Sequence, residues 1–280
     1  MKNILIAIIL FTAPLSLFAQ EKAEDKDTLK YGWTNSLIAS LTLSQVSYTN
    51  WAAGGDNALA YNLLIDGKSV QEKPNTNWAT TYIFAYGQAR LGNIGLRKTD
   101  DRIDLASVFA YKMSEHYDPY ASATFKSQFT TGYKYDASGN GTAVSGFLDP
   151  AVATEAVGFL YHHAESFKSR LGLALRETFA NLYDTIYTGG QKTKIEGGFE
   201  SVSELALELD KDILFKSKLE LFAPLKTLDV ITVYWDNLLA LKVSKYIVTN
   251  LGVQLINNRV VTPRTQIKEA LSLGLTYSIF

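Results

Sequence analysis

Histidine is the side chain with which this sequence could carry out acid–base chemistry. The 280 residues contain three histidines and no cysteine, so thiol catalysis and cysteine-based zinc sites are excluded. His116 lies in a predicted turn, and His162 and His163 lie at another. A histidine near a strand end can act as a general base beside Ser or Asp. We interpret all three as solvated turn residues, because adjacent histidines on a strand point to opposite faces and cannot readily share a metal.

No other pattern indicates catalysis or a cofactor. The sequence has no glycine-rich phosphate loop, no H-E-x-x-H and no G-x-S-x-G,. The acidic run from Glu204 to Asp212 predicts a solvated face and a turn, since a calcium site needs a tighter cluster of oxygens. With 27 basic and 28 acidic residues and a net charge of −1, nothing indicates a nucleic-acid surface. We therefore predict no catalytic, cofactor-binding or metal-binding residues.

Charged side chains occupy one face of several apolar stretches. A Lys or Arg that faced lipid at the bilayer midplane would cost about 2–4 kcal/mol, so we expect these charges to line an aqueous lumen. In a narrow lumen opposite charges would pair and partly block it. Two roles for these charges are therefore possible: a lining that selects solutes, or a salt-bridged plug that stabilises the barrel. The candidate lumen-lining residues are Arg102, Asp104, Lys112, Lys216, Lys218, Glu220, Asp236 and Lys242.

The elements that must position these residues are β-strands. Alternation of apolar and small polar side chains, which is typical of strands with two different faces, recurs along the chain. It is clearest from Ile267 to Phe280, where the odd-numbered positions from Leu271 are apolar and the chain ends on an aromatic residue. The fifth predicted strand runs from Pro119 to Tyr135 and is rich in Tyr, Phe, Ser and Thr. We predict an all-β fold: a single antiparallel transmembrane β-barrel of about 12 strands, with 10 or 14 as alternatives.

The predicted connections alternate in length. Outer-membrane barrels have short periplasmic turns and longer outside loops, and an even strand count then places both termini in the periplasm. The link at 226–229 is an exception, being short where a long one is due. The short links are 72–77, 114–118, 164–166, 211–212 and 244–245, and the longer ones are 48–56, 91–101, 136–150, 182–196 and 257–266.

The N-terminal residues predict a secretory signal peptide. Lys2 precedes a short apolar run, and cleavage is expected between Ala19 and Gln20,. The run is too short to span a bilayer as a helix, and no second long apolar stretch follows. The predicted organisation is a signal peptide over residues 1–19, a flexible periplasmic lead-in over 20–31 and an outer-membrane barrel over 32–280.

One turn carries a family resemblance. The segment Leu43-Ser44-Gln45 and the run N-W-A-A-G-G-D-N at 50–57 resemble an uncharacterised family of Bacteroidota outer-membrane barrels marked by an N-W-A-A-G-G-[DE]-N turn. Segments 98–102 and 128–133 also fit the pattern of that family. The resemblance implies an integral outer-membrane barrel and no assigned activity. The motif residues of the turn are Asn50, Trp51, Gly54, Gly55, Asp56 and Asn57.

These patterns predict a non-enzymatic barrel in the outer membrane of a Gram-negative bacterium. Two functions are open: a narrow channel for solutes or ions, and a scaffold subunit of an envelope complex. Alternatives from other classes are a barrel hydrolase acting on lipid or peptide and a soluble periplasmic β-protein that binds an apolar ligand. The expected partners are outer-membrane lipid, the barrel-assembly machinery during insertion and other envelope proteins, with no cofactor and no nucleic acid.

Overall fold

The computed structural model describes residues 31–49, 55–164 and 166–278. The predicted signal peptide (1–19), most of the predicted lead-in (20–30) and the C-terminal Phe280 lie outside these residues. Within the described residues, no helix is long and apolar enough to cross a membrane.

The described residues form strands and one short helical turn. In chain order the elements are β1 (Gly32–Val46), β2 (Ala58–Glu72), β3 (Thr76–Leu91), β4 (Arg97–Tyr111), β5 (Tyr117–Ser127), β6 (Gly132–Tyr135), β7 (Gly141–Ser145), β8 (Ala151–Ala164), β9 (Phe167–Phe179), α1 (Asp184–Tyr187), β10 (Thr193–Asp210), β11 (Ile213–Pro224), β12 (Thr232–Lys242), β13 (Ile247–Asn257) and β14 (Gln266–Ser278).

Twelve of these strands close into one antiparallel barrel, in the order β1-β14-β13-β12-β11-β10-β9-β8-β5-β4-β3-β2. Strands β6 and β7 pair only with each other, as a hairpin within the connection from β5 to β8. The predicted all-β barrel of about 12 strands is thereby confirmed, and the alternatives of 10 and 14 strands are wrong.

The barrel strands have a mainly apolar outer face and a polar or small inner face. On β9, Leu171, Leu173 and Leu175 are exposed on the outside, while Arg170 and Ala174, which alternate with them, are buried inside the barrel. This is the period-two alternation of a strand. The outer surface is therefore apolar, and the buried residues lie in the interior of the barrel.

The fifth predicted strand, 119–135, is wrong as a single element. Strand β5 stops at Ser127, because the buried carboxylate of Asp101 accepts hydrogen bonds from the backbone N–H of Phe129 (2.7 Å) and of Thr130 (2.9 Å). Those amides are no longer available to continue the ladder with β4. The chain therefore leaves the barrel at 128 and forms the separate hairpin before it returns at Ala151.

The two groups of connections lie at opposite ends of the barrel. One end carries the short links 73–75, 112–116, 165–166, 211–212 and 243–246, and the other carries 47–57, 92–96, 128–150, 180–192, 225–231 and 258–265. The link at 92–96 is shorter than predicted because β4 begins already at Arg97, and the link at 225–231 is longer because β12 begins only at Thr232. Strand β1 starts and β14 finishes at the short-link end.

Candidate functional site

The interior of the barrel contains a polar cavity in the half nearer the long links. Its volume is about 480 Å³, and side chains from β4, β5 and β8 to β14 line it. Links 180–192 and 258–265 contribute Tyr187, Val260 and Val261 to the lining. The long links thus fold over the mouth of the lumen.

Ion pairs cross this lumen. Arg102 on β4 and Asp236 on β12 approach to 4.0 Å, although five strands separate them in either direction around the closed barrel. Lys126 on β5 forms an ion pair with Glu220 on β11, and three strands lie between them. The charged side chains therefore bridge opposite walls and narrow the passage.

Two of these bridges are extended by further polar contacts. Glu220 also forms an ion pair of 2.8 Å with Lys218, and the carboxylate of Asp104 lies 4.0 Å from the ammonium of Lys126. Asp236 accepts a hydrogen bond of 2.6 Å from the amide of Gln254. Each carboxylate is thus compensated by polar partners on its own strand or on other strands, as a charge removed from bulk water requires.

One wall of the lumen is closely packed. Tyr120 and Phe222 are buried, and each side chain lies against a glycine on another strand of the same wall. A Cβ added at Gly172 would come within 2.6 Å of the Tyr120 hydroxyl, and one added at Gly198 would come within 2.7 Å of the Phe222 ring. These two glycines let the rings lie flat against the barrel wall, on the side formed by β5 and β8 to β11.

The opposite wall, formed by β1 and β14, is lined by small side chains. Lys268 lines the cavity, so the even-numbered residues of β14 face inward, and the register Ser40↔Thr276 places the even-numbered residues of β1 on the same face. Among them Ser36, Ser44 and Ala270 remain exposed although they face the lumen. Space for solvent therefore runs along this wall, away from the packed side.

The structure distributes the eight predicted lining residues over three levels of the lumen. Four line the cavity, namely Arg102, Asp104, Glu220 and Asp236. Lys216 and Lys218 lie further toward the short-link end on β11. Lys112 pairs with Glu72 at the short-link rim, and Lys242 is exposed at the end of β12.

Several interior charges were missed in the sequence. Arg170 and Glu200 form a buried pair at 3.4 Å on adjacent strands, and Lys268 pairs with Asp100 at 2.8 Å. The guanidinium of Arg176 lies 3.7 Å above the Phe222 ring. The alternation of the sequence could have identified the two arginines. Arg170 and Arg176 share the face of Gly172 and Ala174, opposite the leucines of β9.

Carboxylates hold the link from β9 to β10 in place through hydrogen bonds and an ion pair. Asp149 accepts the backbone N–H groups of Asn181 (3.0 Å) and Leu182 (2.7 Å). A hydrogen bond from Lys192 lowers the pKa of Asp184 at the start of α1. Burial raises the pKa of Tyr187, which reaches the cavity from the same turn, and the charge of Asp149 adds to the effect.

The histidines lie at the short-link end. His162 belongs to β8 rather than to a turn, and its Nε2 lies 2.9 Å from Asp118 Oδ2. Asp118 Oδ1 accepts the backbone N–H of Met113 at 2.9 Å. The contacts of this pair thus tie the β4–β5 turn to β8, which is a structural role. The side chain of His163 and residue Glu165 lie outside the described part of the chain.

No metal site is formed in the described part of the chain, where no three histidine or carboxylate side chains come together around a common point.

The motif turn is described only in part, since Asn50, Trp51 and Gly54 lie outside the described residues. Asn57 accepts a hydrogen bond of 2.7 Å from the backbone N–H of Tyr48, which closes the base of the turn. Gly55 has a φ of 135°, and a Cβ there would come within 2.7 Å of the Tyr48 ring. A glycine is required at this position on both grounds.

A family described as "Protein of unknown function (DUF3078)" matches residues 43–133. The match supports the resemblance to an uncharacterised family. No curated protein sequence matches this chain.

Solved structures of outer-membrane proteins resemble the barrel at low sequence identity. The COG4313 outer membrane channel from Pseudomonas putida F1 is 11% identical, with 91% of this chain and 97% of that chain covered and a TM-score of 0.42. The translocator domain of the autotransporter NalP from Neisseria meningitidis is 9% identical, with 90% of each chain covered and a TM-score of 0.38. The NanC porin is 9% identical, with 87% and 97% covered and a TM-score of 0.37. All three TM-scores lie below 0.5, so these likenesses assign neither substrate nor mechanism to this chain.

Proposed function

We propose that the chain is an integral outer-membrane barrel that forms a narrow aqueous passage for small polar solutes or ions. The observation that carries this proposal is the asymmetry of the lumen. A polar cavity of about 480 Å³ lies in the interior and Ser36 on the inward face of β1 stays exposed, while the opposite wall is packed around Tyr120 and Phe222. A barrel filled by its own side chains would bury both walls.

The outer surface supports the membrane location. Leucines are exposed around the barrel, for example Leu173 on β9 and Leu273 on β14, and only a closed barrel satisfies every strand hydrogen bond within lipid. Exposed aromatic side chains gather near the short-link end, as in the girdles of outer-membrane barrels at the membrane–water interface. They are Trp33, Trp78, Tyr117, Tyr246 and Tyr277.

The proposal includes an orientation and a route of export. The short-link end, where β1 starts and β14 finishes, lies in the periplasm, and the long links face outward. The signal peptide is removed between Ala19 and Gln20, and the barrel-assembly machinery inserts the mature chain. The Bacteroidota origin implied by the motif turn belongs to the same proposal.

A scaffold without an open passage is the second candidate. The bridge between Arg102 and Asp236 favours it, because this pair joins opposite walls at the level of the cavity. In that case the lumen charges would stabilise the barrel, and the functional surface would be an outer or rim surface that contacts other envelope proteins.

Single-channel recording in planar bilayers separates the two candidates. The purified mature protein is folded in detergent, and heat-modifiable gel migration serves as the control for folding. We expect small, reproducible conductance steps. A folded, heat-modifiable protein that conducts no ions would contradict the passage and leave the scaffold.

A further inference from the structure

The seam between the first and last strands of the barrel is only partly closed. The register of β1 with β14 runs from Ile38↔Ser278 to Thr42↔Gly274 and stops there. Strand β1 continues to Val46 and β14 begins at Gln266, and both remain paired with their other neighbours, β2 and β13. A slit, bordered by residues 43–46 and 270–273, therefore opens in the barrel wall above Thr42.

The last closed rung is tightly packed. A Cβ built on Gly274 would come within 2.7 Å of Thr42 Oγ1, so the two backbones approach closely at this point and separate directly beyond it. One rung below, Leu41 lies opposite Leu275 in the regular register. The slit thus begins at a defined position and is not a general loosening of the seam.

Side-chain exposure also indicates the slit. Leu271 is 76% exposed, more than outer-face leucines that are paired on both sides, such as Leu171 on β9 and Leu275 on β14, which are each 61% exposed. Leu43, at 62%, lies within the range of those paired leucines. A strand with two neighbours shields its side chains by cross-strand contact, and that contact is missing at the slit.

An interior ion pair holds the separated part of β14. Lys268, two residues above Ala270 on the inward face, donates to Asp100 Oδ1 on β4 at 2.8 Å. Asp100 Oδ2 accepts a second hydrogen bond, of 3.3 Å, from Asn62 on β2. This contact positions the upper part of β14 in the absence of the ladder to β1, and it holds the ammonium group of Lys268 in the lumen, against Asp100 of β4.

We propose that this slit is a binding site and lateral passage for a single-chain amphipathic anion, such as an alkyl carboxylate. The inference rests on the proposed outer-membrane location. The lumen side of the slit carries Lys268, Ser44 and Ser272, and the lipid side carries Leu43 and Leu271. A molecule seated there has its head group in water and its chain in lipid.

The charge and position of the site select the ligand. A carboxylate or similar anion replaces Asp100 as the partner of Lys268, and Asp100 keeps its bond to Asn62. The alkyl chain of the ligand lies between the two strand edges, beside Leu271. The head group also hydrogen-bonds to backbone groups of these edges, which face no partner strand among the described residues and are costly to leave unpaired at the border of the lipid.

Photolabelling of the barrel in lipid vesicles tests the proposal without relying on ion conduction. The probe is dodecanoate with a diazirine on its alkyl chain, and peptide mass spectrometry locates the adducts. We expect labelling at Leu43 and Leu271 that excess dodecanoate removes and dodecanol does not. Labelling of Leu173, an outer-face leucine far from the seam, measures contact with bulk lipid and should respond to neither competitor.

Two pairs of variants identify the binding groups. Lys268→Gln should lower the competed labelling at Leu271 about tenfold, the order of effect of losing one charge-assisted hydrogen bond. The matched control Lys242→Gln, at an exposed lysine on the other end of the lumen, should leave it unchanged. Ser272→Trp should abolish it by filling the inner side of the slit. Ser36→Trp, on the same inward face but further along β1 toward the short-link end, should not.

The outcomes separate this inference from the proposed function. Uniform labelling of Leu271 and Leu173, or labelling that Lys268→Gln leaves unchanged, overturns the site even if the barrel conducts ions. Loss of heat-modifiable migration in the parent protein would instead contradict the barrel itself. Competed, Lys268-dependent labelling in a barrel that conducts no ions would support the slit and contradict the passage.

Discussion

At the residue scale, the central feature is compensation between charges from distant strands. Arg102 and Asp236 are on opposite walls, and each would be an isolated charge in a narrow lumen without the other. Lys126 lies between Asp104 and Glu220 in the same way. The lumen therefore carries alternating charges of both signs, and changing one of them should change which ions enter.

Asp236→Asn tests this. The new side chain keeps a carbonyl oxygen for the amide of Gln254 but leaves the charge of Arg102 uncompensated. We expect the reversal potential under a salt gradient to shift toward anion selectivity. Asp229→Asn, on the exposed link between β11 and β12, is the control and should leave the potential unchanged. An unaltered reversal potential in Asp236→Asn would show that the bridge does not border the conducting path.

At the scale of strands, glycines determine how closely neighbouring strands of the packed wall approach each other. Gly158 and Gly172 face one another across β8 and β9. A Cβ on Gly158 would lie 2.1 Å from the Leu171 carbonyl oxygen, and one on Gly172 would lie 2.4 Å from the Val157 carbonyl oxygen. These neighbours are backbone atoms, which cannot rotate out of the way.

Gly172→Ala should therefore destabilise the barrel by roughly 1–3 kcal/mol, the usual cost of overpacking, and displace the ring of Tyr120 into the lumen. Gly197→Ala is the matched control, because a Cβ there meets only Leu225 at 3.8 Å. Urea unfolding in lipid vesicles, followed by tryptophan fluorescence, measures the difference. Equal stability of the two variants would mean that the wall relaxes around a methyl group.

The seam between β1 and β14 is the other feature at this scale. Spin labels on cysteines at positions Leu43 and Leu273 should be further apart than labels at Leu41 and Leu275, which are opposite in the register. The chain has no native cysteine, so both pairs can be labelled without background. Equal distances, measured by pulsed electron–electron resonance, would show that the ladder is complete and that no slit exists.

At the scale of the whole molecule, the outer surface of the barrel is mainly apolar and most of the strand charges lie inside, with Glu155 on β8 and Glu177 on β9 as exceptions on the outer face. Exposed leucines cover the outer face, and Arg170, Glu200 and Asp118 are among the buried residues. Burying such groups is costly unless each is paired, and the pairs at Arg170 and Glu200 and at His162 and Asp118 supply that compensation. A soluble sandwich with the same strands would have the opposite arrangement.

The sequence by itself determined the class of fold and predicted about 12 strands, with 10 or 14 as alternatives, because alternation is a local property of neighbouring residues. It also indicated that Arg102, Asp104, Glu220 and Asp236 face away from the apolar side. It failed at the fifth strand, where Asp101 binds amides nearly thirty residues away.

The tertiary structure alone decided which charges meet, which wall is open and where the seam ends. Arg102 and Asp236 are far apart in the chain and approach only because closure of the barrel makes their strands opposite. The slit above Thr42 depends on how far β1 and β14 overlap, which the alternation of either strand leaves undefined. Both features follow from long-range register, and a single strand carries no information about the register of its partner.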